Sequence, residues 1–80
     1  MEIQILGTGC PKCEKLADNA RQAVERLGLD AEIVKISDLN EIMSFGVMMT
    51  PALALDGEVK AKGKLLGVDQ IEALLREESP

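Results

Sequence analysis

The residues in this chain best suited to chemistry are Cys10 and Cys13, its two cysteines, in the stretch "GTGCPKCEKLA" (residues 7–17). Two sulfurs at this spacing can form a redox pair, hold part of a metal site or staple a loop. Cys10 is expected at the start of a helix, where unpaired N–H groups and the helix dipole favour negative charge. The thiolate is the reactive form, so this position activates the sulfur, and such cysteines titrate well below the value of about 8.5 for a free thiol. Lys12 adds a positive charge nearby and Glu14 opposes it. Cys13, one turn on, brings its sulfur to the same end of the helix, where it should be more covered. That asymmetry suits a two-step exchange: Cys10 attacks a disulfide in another molecule, and Cys13 then attacks Cys10 and releases the reduced partner. Pro11 stiffens the turn between them.

Metal binding is the rival reading. Structural zinc takes four ligands, and the chain has no His and no second cysteine pair. Zinc would need two chains sharing a site, or distant carboxylates. Soft Cu(I) could use the two thiolates with Met48 or Met49. A structural pair without chemistry is the third reading. The reading adopted is redox exchange, with no metal and no cofactor beyond the Cys10–Cys13 disulfide.

The elements that must hold these sulfurs can be traced along the chain. Glu2 to Leu6 reads as a first strand ended by Gly7. Pro11 sits where a helix tolerates proline best, and Leu16, Ala20, Ala23, Val24 and Leu27 recur at helical spacing. Gly28 is a left-handed cap. "AEIVKI" (31–36) reads as a second strand, giving a βαβ unit with parallel strands and a right-handed crossover. Asp38 with Glu41 resembles a capping box opening a short helix, with Leu39, Ile42 and Met43 inward and Gly46 as its stop. Asp56-Gly57 marks a hairpin between strands 52–55 and 58–62. Within the second of these, Lys60 and Lys62 should share one face, as suits an exposed sheet edge. A last helix is expected over 68–77, with Asp69 and Glu72 as its cap pair, Ile71, Leu74 and Leu75 inward, and the tail "EESP" fraying. The order is β-α-β-α-β-β-α: a four-stranded mixed α/β sheet with helices on both faces, in one domain over residues 1–80.

Composition removes several classes of function. The net charge is −5 and there is one Phe, with no Trp, Tyr or His. Imidazole chemistry is excluded, aromatic platforms for bases are absent, and the charge argues against nucleic acid and anionic lipid. The hydrophobic fraction of 46% is that of a folded domain. No window approaches the roughly 20 apolar residues of a membrane helix. "MEIQIL" lacks the basic start of a signal peptide, so a cytoplasmic, reducing location is expected, where paired thiols are more often catalytic or metal-binding than structural.

A second feature is Thr50-Pro51 in "GVMMTPALAL". A trans proline can open a strand, and only about 5–6% of X–Pro bonds in folded proteins are cis, so sequence alone favours trans. Met48 and Met49 just before it would either fill core space or form a pliable surface for partners. Phe45 is expected in the core.

Taken together, "GTGCPKC" after the first strand, "MTPAL" before the third and the "DG" hairpin resemble the thioredoxin/glutaredoxin superfamily. Within it the chain is most similar to the small thioredoxin-like redox-active disulfide proteins of archaea and bacteria. The resemblance covers nearly the whole chain and implies a minimal thioredoxin fold with strand order second, first, third, fourth, the last two strands antiparallel to the first pair. It implies that Cys10 is the exposed nucleophile and Cys13 the resolving thiol. It also implies that Pro51 is the cis-proline beside them and that Thr50 pairs by its backbone with an extended substrate segment. Met49 would flank that segment. Implied partners are protein disulfides and a disulfide reductase, with no nucleic acid and no membrane, the protein acting as a monomer. Gln4 stands where ordinary thioredoxins carry a buried acid. "KGKLLG" stands where glutathione-using glutaredoxins carry a Gly-Gly pair.

Overall fold

The computed structural model describes residues 1–78. Its elements are β1 (Glu2–Leu6), α1 (Pro11–Leu27), β2 (Glu32–Ile36), α2 (Leu39–Ser44), β3 (Ala52–Leu55), β4 (Glu58–Lys62) and α3 (Val68–Glu78). The strands form one sheet in the order β2-β1-β3-β4. β1 and β2 are parallel, with Ile3 opposite Ile33 and Ile5 opposite Lys35. β3 is antiparallel to β1, with Leu6 opposite Ala52, and β4 is antiparallel to β3. β4 therefore runs in the direction of β1. The expectation that both hairpin strands oppose the first pair is corrected, because a hairpin reverses direction at its turn.

Side chains alternate across the sheet and bury two unequal cores. Ile3, Ile5, Leu53 and Leu55 face α1 and α3, meeting Leu16, Ala20, Ile71 and Leu75. Leu6 and Ala52 face the other way and meet Ile42 and Val47, with half-buried Phe45 against them. The second core is small because α2 has only six residues. Leu39 and Met43, expected inward, are exposed at 63% and 65%. One and a half turns can turn a single large side chain onto the sheet, and Ile42 occupies that place.

The helix ends follow local chemistry. Cys10 caps α1 and Pro11 is its first residue, while Gly28 closes it at φ 64°. Asp38 caps α2 by accepting from the Asn40 N–H at 2.9 Å. At α3 the expected cap pair is replaced. Gly67 is the cap, its carbonyl accepting from Ile71 N–H, and Gln70 Oε1 accepts from Gly67 N–H at 2.8 Å. Asp69 and Glu72 instead both accept from Arg26 Nη1 of α1, each at 3.1 Å. These carboxylates, Glu72 first, raise the Arg26 pKa above its ordinary value. The Asp56-Gly57 turn has φ 49° and 87°, as a two-residue hairpin demands.

β4 departs from strict alternation. Leu53 pairs with Ala61 and Ala54 with Val59, leaving Lys60 as an extra residue between them. The bulge breaks the ladder at Lys60, and Lys60 and Lys62 nevertheless border the same groove beside α3. Lys60 reaches Glu78 of α3 and Glu58, and these hydrogen bonds, Glu78 first, raise its pKa. Among the described residues, no helix is long and apolar enough to cross a membrane.

Candidate active site

The loop from β1 to α1 is built from its glycines outward. Gly7 extends the parallel ladder by donating from its N–H to the Ile36 carbonyl at 3.0 Å. A methyl group on Gly7 would overlap Cys13 Sγ, so glycine is needed here for close approach, not for a special dihedral. Gly9, at φ 89°, then turns the chain into the cap position, a conformation that costs glycine little.

Cys10 takes the cap with φ −70° and ψ 162°. Its Sγ accepts from the Cys13 N–H at 3.2 Å, and its carbonyl accepts from Glu14 N–H at 3.0 Å. Serine or aspartate oxygen normally fills this role; here sulfur does. A cap sulfur that receives an N–H at the positive end of a 17-residue helix is stabilised as the thiolate when the pair is reduced. Cys10 and Cys13 are joined as a disulfide with Cα atoms 5.1 Å apart, inside the range that bonded cysteines occupy. Cys10 is half-buried and Cys13 only 5% exposed. One sulfur faces solvent and the other is shielded behind it.

The neighbouring charges are now located. Lys12 is exposed on the first turn. Glu14 pairs with Lys35 of β2 at 2.8 Å, so a cation from the adjacent strand offsets the acidic charge that opposes a Cys10 thiolate. Cys13, Glu14 and Lys35 share a cleft of about 270 Å³ with Ile5, Gly7 and Ser37. Gln4 is not part of this site. Its Oε1 accepts from Gly57 N–H at 2.8 Å and its Nε2 donates to Glu2 at 3.1 Å, at the end of the sheet away from the sulfurs.

Thr50, Pro51 and Met49 lie at the same end of the sheet as the sulfurs. β3 begins at Ala52, which pairs with Leu6, the last residue of β1 before the cysteine loop. The Thr50–Pro51 bond is cis, as the resemblance implies and against the trans form that sequence alone favours. Pro51 is buried and Thr50 exposed. The Pro51 carbonyl accepts from Gly63 N–H at 2.9 Å. Met49 rests against Gly63, where an added Cβ would stand 3.1 Å from Met49 Cε. Met48 is 94% exposed and Met49 64%, so neither fills the core.

Sequence reasoning gave Gly7 and Gly63 no role beyond punctuation. Their positions after β1 and β4 were visible, but the side chains that press on them come from other segments. A larger groove of about 530 Å³ lies between β4 and α3, lined by Lys60, Lys62, Lys64 and Leu74 among others. It contains neither cysteine, so the chemistry is not there. Among the described residues no group of three or more His, Cys, Asp or Glu is placed to hold a metal.

Comparison with known proteins agrees with this geometry. Residues 1–76 match the family model described as "Thioredoxin domain". A protein named "Thioredoxin" from Methanothermobacter thermautotrophicus is 45% identical over 75 residues, covering 94% of this chain and 97% of that one. Another named "Thioredoxin", from Methanocaldococcus jannaschii, is 47% identical over 74 residues, 92% of this chain and 85% of that one. A solved structure described as "Structure of a malarial protein" superposes with a TM-score of 0.66 at 17% identity, over 95% of this chain and 93% of that one. At that identity it speaks for the fold alone, and the fold is the minimal thioredoxin fold. The family match runs from β1 into α3 and so takes in every element, and the chain belongs to the thioredoxin domain family.

Proposed function

We propose that this thiol–disulfide oxidoreductase reduces disulfides of partner proteins through a mixed disulfide on Cys10. The Cys10 thiolate attacks one sulfur of the partner disulfide; a Cys10–partner bond forms and the other partner sulfur leaves as a thiolate. Cys13 then loses its proton and attacks Cys10 Sγ. The Cys10–Cys13 bond forms, the Cys10–partner bond breaks, and the partner departs with two electrons gained. A disulfide reductase returns two electrons to the pair, with no cofactor other than the disulfide itself. The observation that carries this reading is the half-buried Cys10 at the helix cap, its sulfur receiving the Cys13 N–H, with Cys13 more deeply buried behind it.

In the same reading, the substrate chain lies extended along Thr50, pairing with its backbone, with Met49 and Pro51 on either side. Pro11 and Lys12 tune Cys10. The chain acts as one domain over residues 1–80, as a monomer, in the reducing cytoplasm. Cys13→Ser should accumulate mixed disulfides with a protein substrate, detectable on non-reducing gels, and Cys10→Ser should not. Full insulin-reducing activity in both single variants would sink the proposal.

A further inference from the structure

We infer that Glu14 accepts the proton Cys13 loses during resolution, and that Lys35 is the positioning residue that holds the Glu14 carboxylate at the cleft. This rests on the exchange reading above and assigns the proton that reading leaves without a destination.

The buried sulfur must be ionised to attack, yet burial in apolar surroundings disfavours the thiolate. Cys13 is 5% exposed and its own N–H is committed to Cys10 Sγ. It therefore needs an acceptor within reach. The cleft of about 270 Å³ that Cys13 lines is bordered by Glu14, Lys35 and Ser37. Among the described residues, Glu14 and Lys35 are its two charged groups, and Glu14 is the one that carries acceptor oxygens. The cleft has room for several waters, each occupying about 30 Å³, so transfer through a bridging water is sterically open. Gln4 offers no alternative: it cannot titrate and is engaged with Gly57.

The ion pair explains the direction of aim. Glu14 follows Cys13 directly on α1, and an unpaired glutamate there would extend into solvent. Lys35 stands opposite Ile5 on β2, beneath the first turn of α1, and draws the carboxylate to the cleft at 2.8 Å. Both side chains are more than half exposed, and a pair of this kind adds little to stability. Its removal should therefore leave the fold intact.

The Cys13 S–H proton passes to the Glu14 carboxylate, the freed thiolate attacks Cys10 Sγ, and the leaving sulfur or solvent takes the proton back from Glu14.

Reduced protein mixed with one equivalent of Ellman's reagent tests this. The first thionitrobenzoate is released by Cys10 and the second, in a concentration-independent phase, by Cys13. Thionitrobenzoate leaves without needing a proton, so the second phase isolates Cys13 deprotonation. Cys13→Ser must stop after one equivalent; two equivalents there would overturn the exchange reading itself. Glu14→Gln is expected to keep the first phase or quicken it. It should slow the second by about tenfold or more near pH 7, since general bases contribute roughly 10²–10⁴-fold, and the remaining rate should climb with hydroxide. Lys35→Met, which keeps the carboxylate, should slow the second phase less. The inference is overturned if Glu14→Gln retains the parent rate. It is equally overturned by a fall that keeps the parent pH profile, or by matching falls in the two variants, since either would make the pair merely structural.

Discussion

Gly7 and Cys13 are in contact with no room for a methyl group between them. The Cys13 sulfur is thus held by the backbone that follows the first strand, which is itself fixed by the Gly7 N–H on Ile36. Gly7→Ala must displace either that hydrogen bond or the sulfur. Overpacking of this kind typically costs about 1–3 kcal/mol, to be read from the urea midpoint of the oxidised protein. A midpoint within error of the parent would mean that the loop yields freely. Neither contact is local in sequence. "GTGCPKC" displays the sulfurs, the proline and the helix start, because those depend on residues one to three apart. That a glycine six positions before Cys13 touches it depends on the angle at which α1 leaves the loop, which no spacing encodes.

At the level of elements, short-range chemistry was legible and pairwise packing less so. The boundaries of α1, both hairpin strands and the Asp56-Gly57 turn follow from proline, glycine and alternation. The inward set of α2 did not, because the apolar residues Leu39, Ile42 and Met43 fit a helical stripe whose width exceeds what one and a half turns can cover. The exposure difference gives a direct test. Ile42→Ala should cost about 2–5 kcal/mol, as deletions from packed cores do, while Leu39→Ala should shift stability by less than about 0.5 kcal/mol. Equal losses in thermal or urea unfolding would contradict the burial seen for α2. Likewise Asp69 and Glu72 have the spacing of a cap pair, yet both accept from Arg26 on another helix. A cation 43 positions away leaves no local trace.

For the molecule as a whole, the sheet order puts the cysteine loop and the start of β3 at one end and the hairpin turn at the other. The reactive end carries Met48 and Met49 in the open, where flexible, polarisable side chains suit partners of differing shape. Met48 touches too little of the protein to stabilise it. Met48→Gln should leave the unfolding midpoint within about 0.5 kcal/mol of the parent. It should lower kcat/KM for a protein disulfide several-fold, with the rate toward Ellman's reagent unchanged. A parallel loss toward the small reagent would place the methionine's influence on the sulfurs instead of the partner. The overall architecture was readable because a βαβ unit followed by a hairpin admits few arrangements.

One consequence follows from the amide that donates to Cys10 Sγ. α1 is about 25 Å long at 1.5 Å per residue, and its far end is tied to α3 through Arg26. The nitrogen of Cys13 donates to a disulfide sulfur before reduction and to a freed sulfur after it. A single peak in a proton–nitrogen spectrum thereby becomes a built-in gauge of how many electrons the molecule holds, while the signals of Val24 and Leu27 stay where they are.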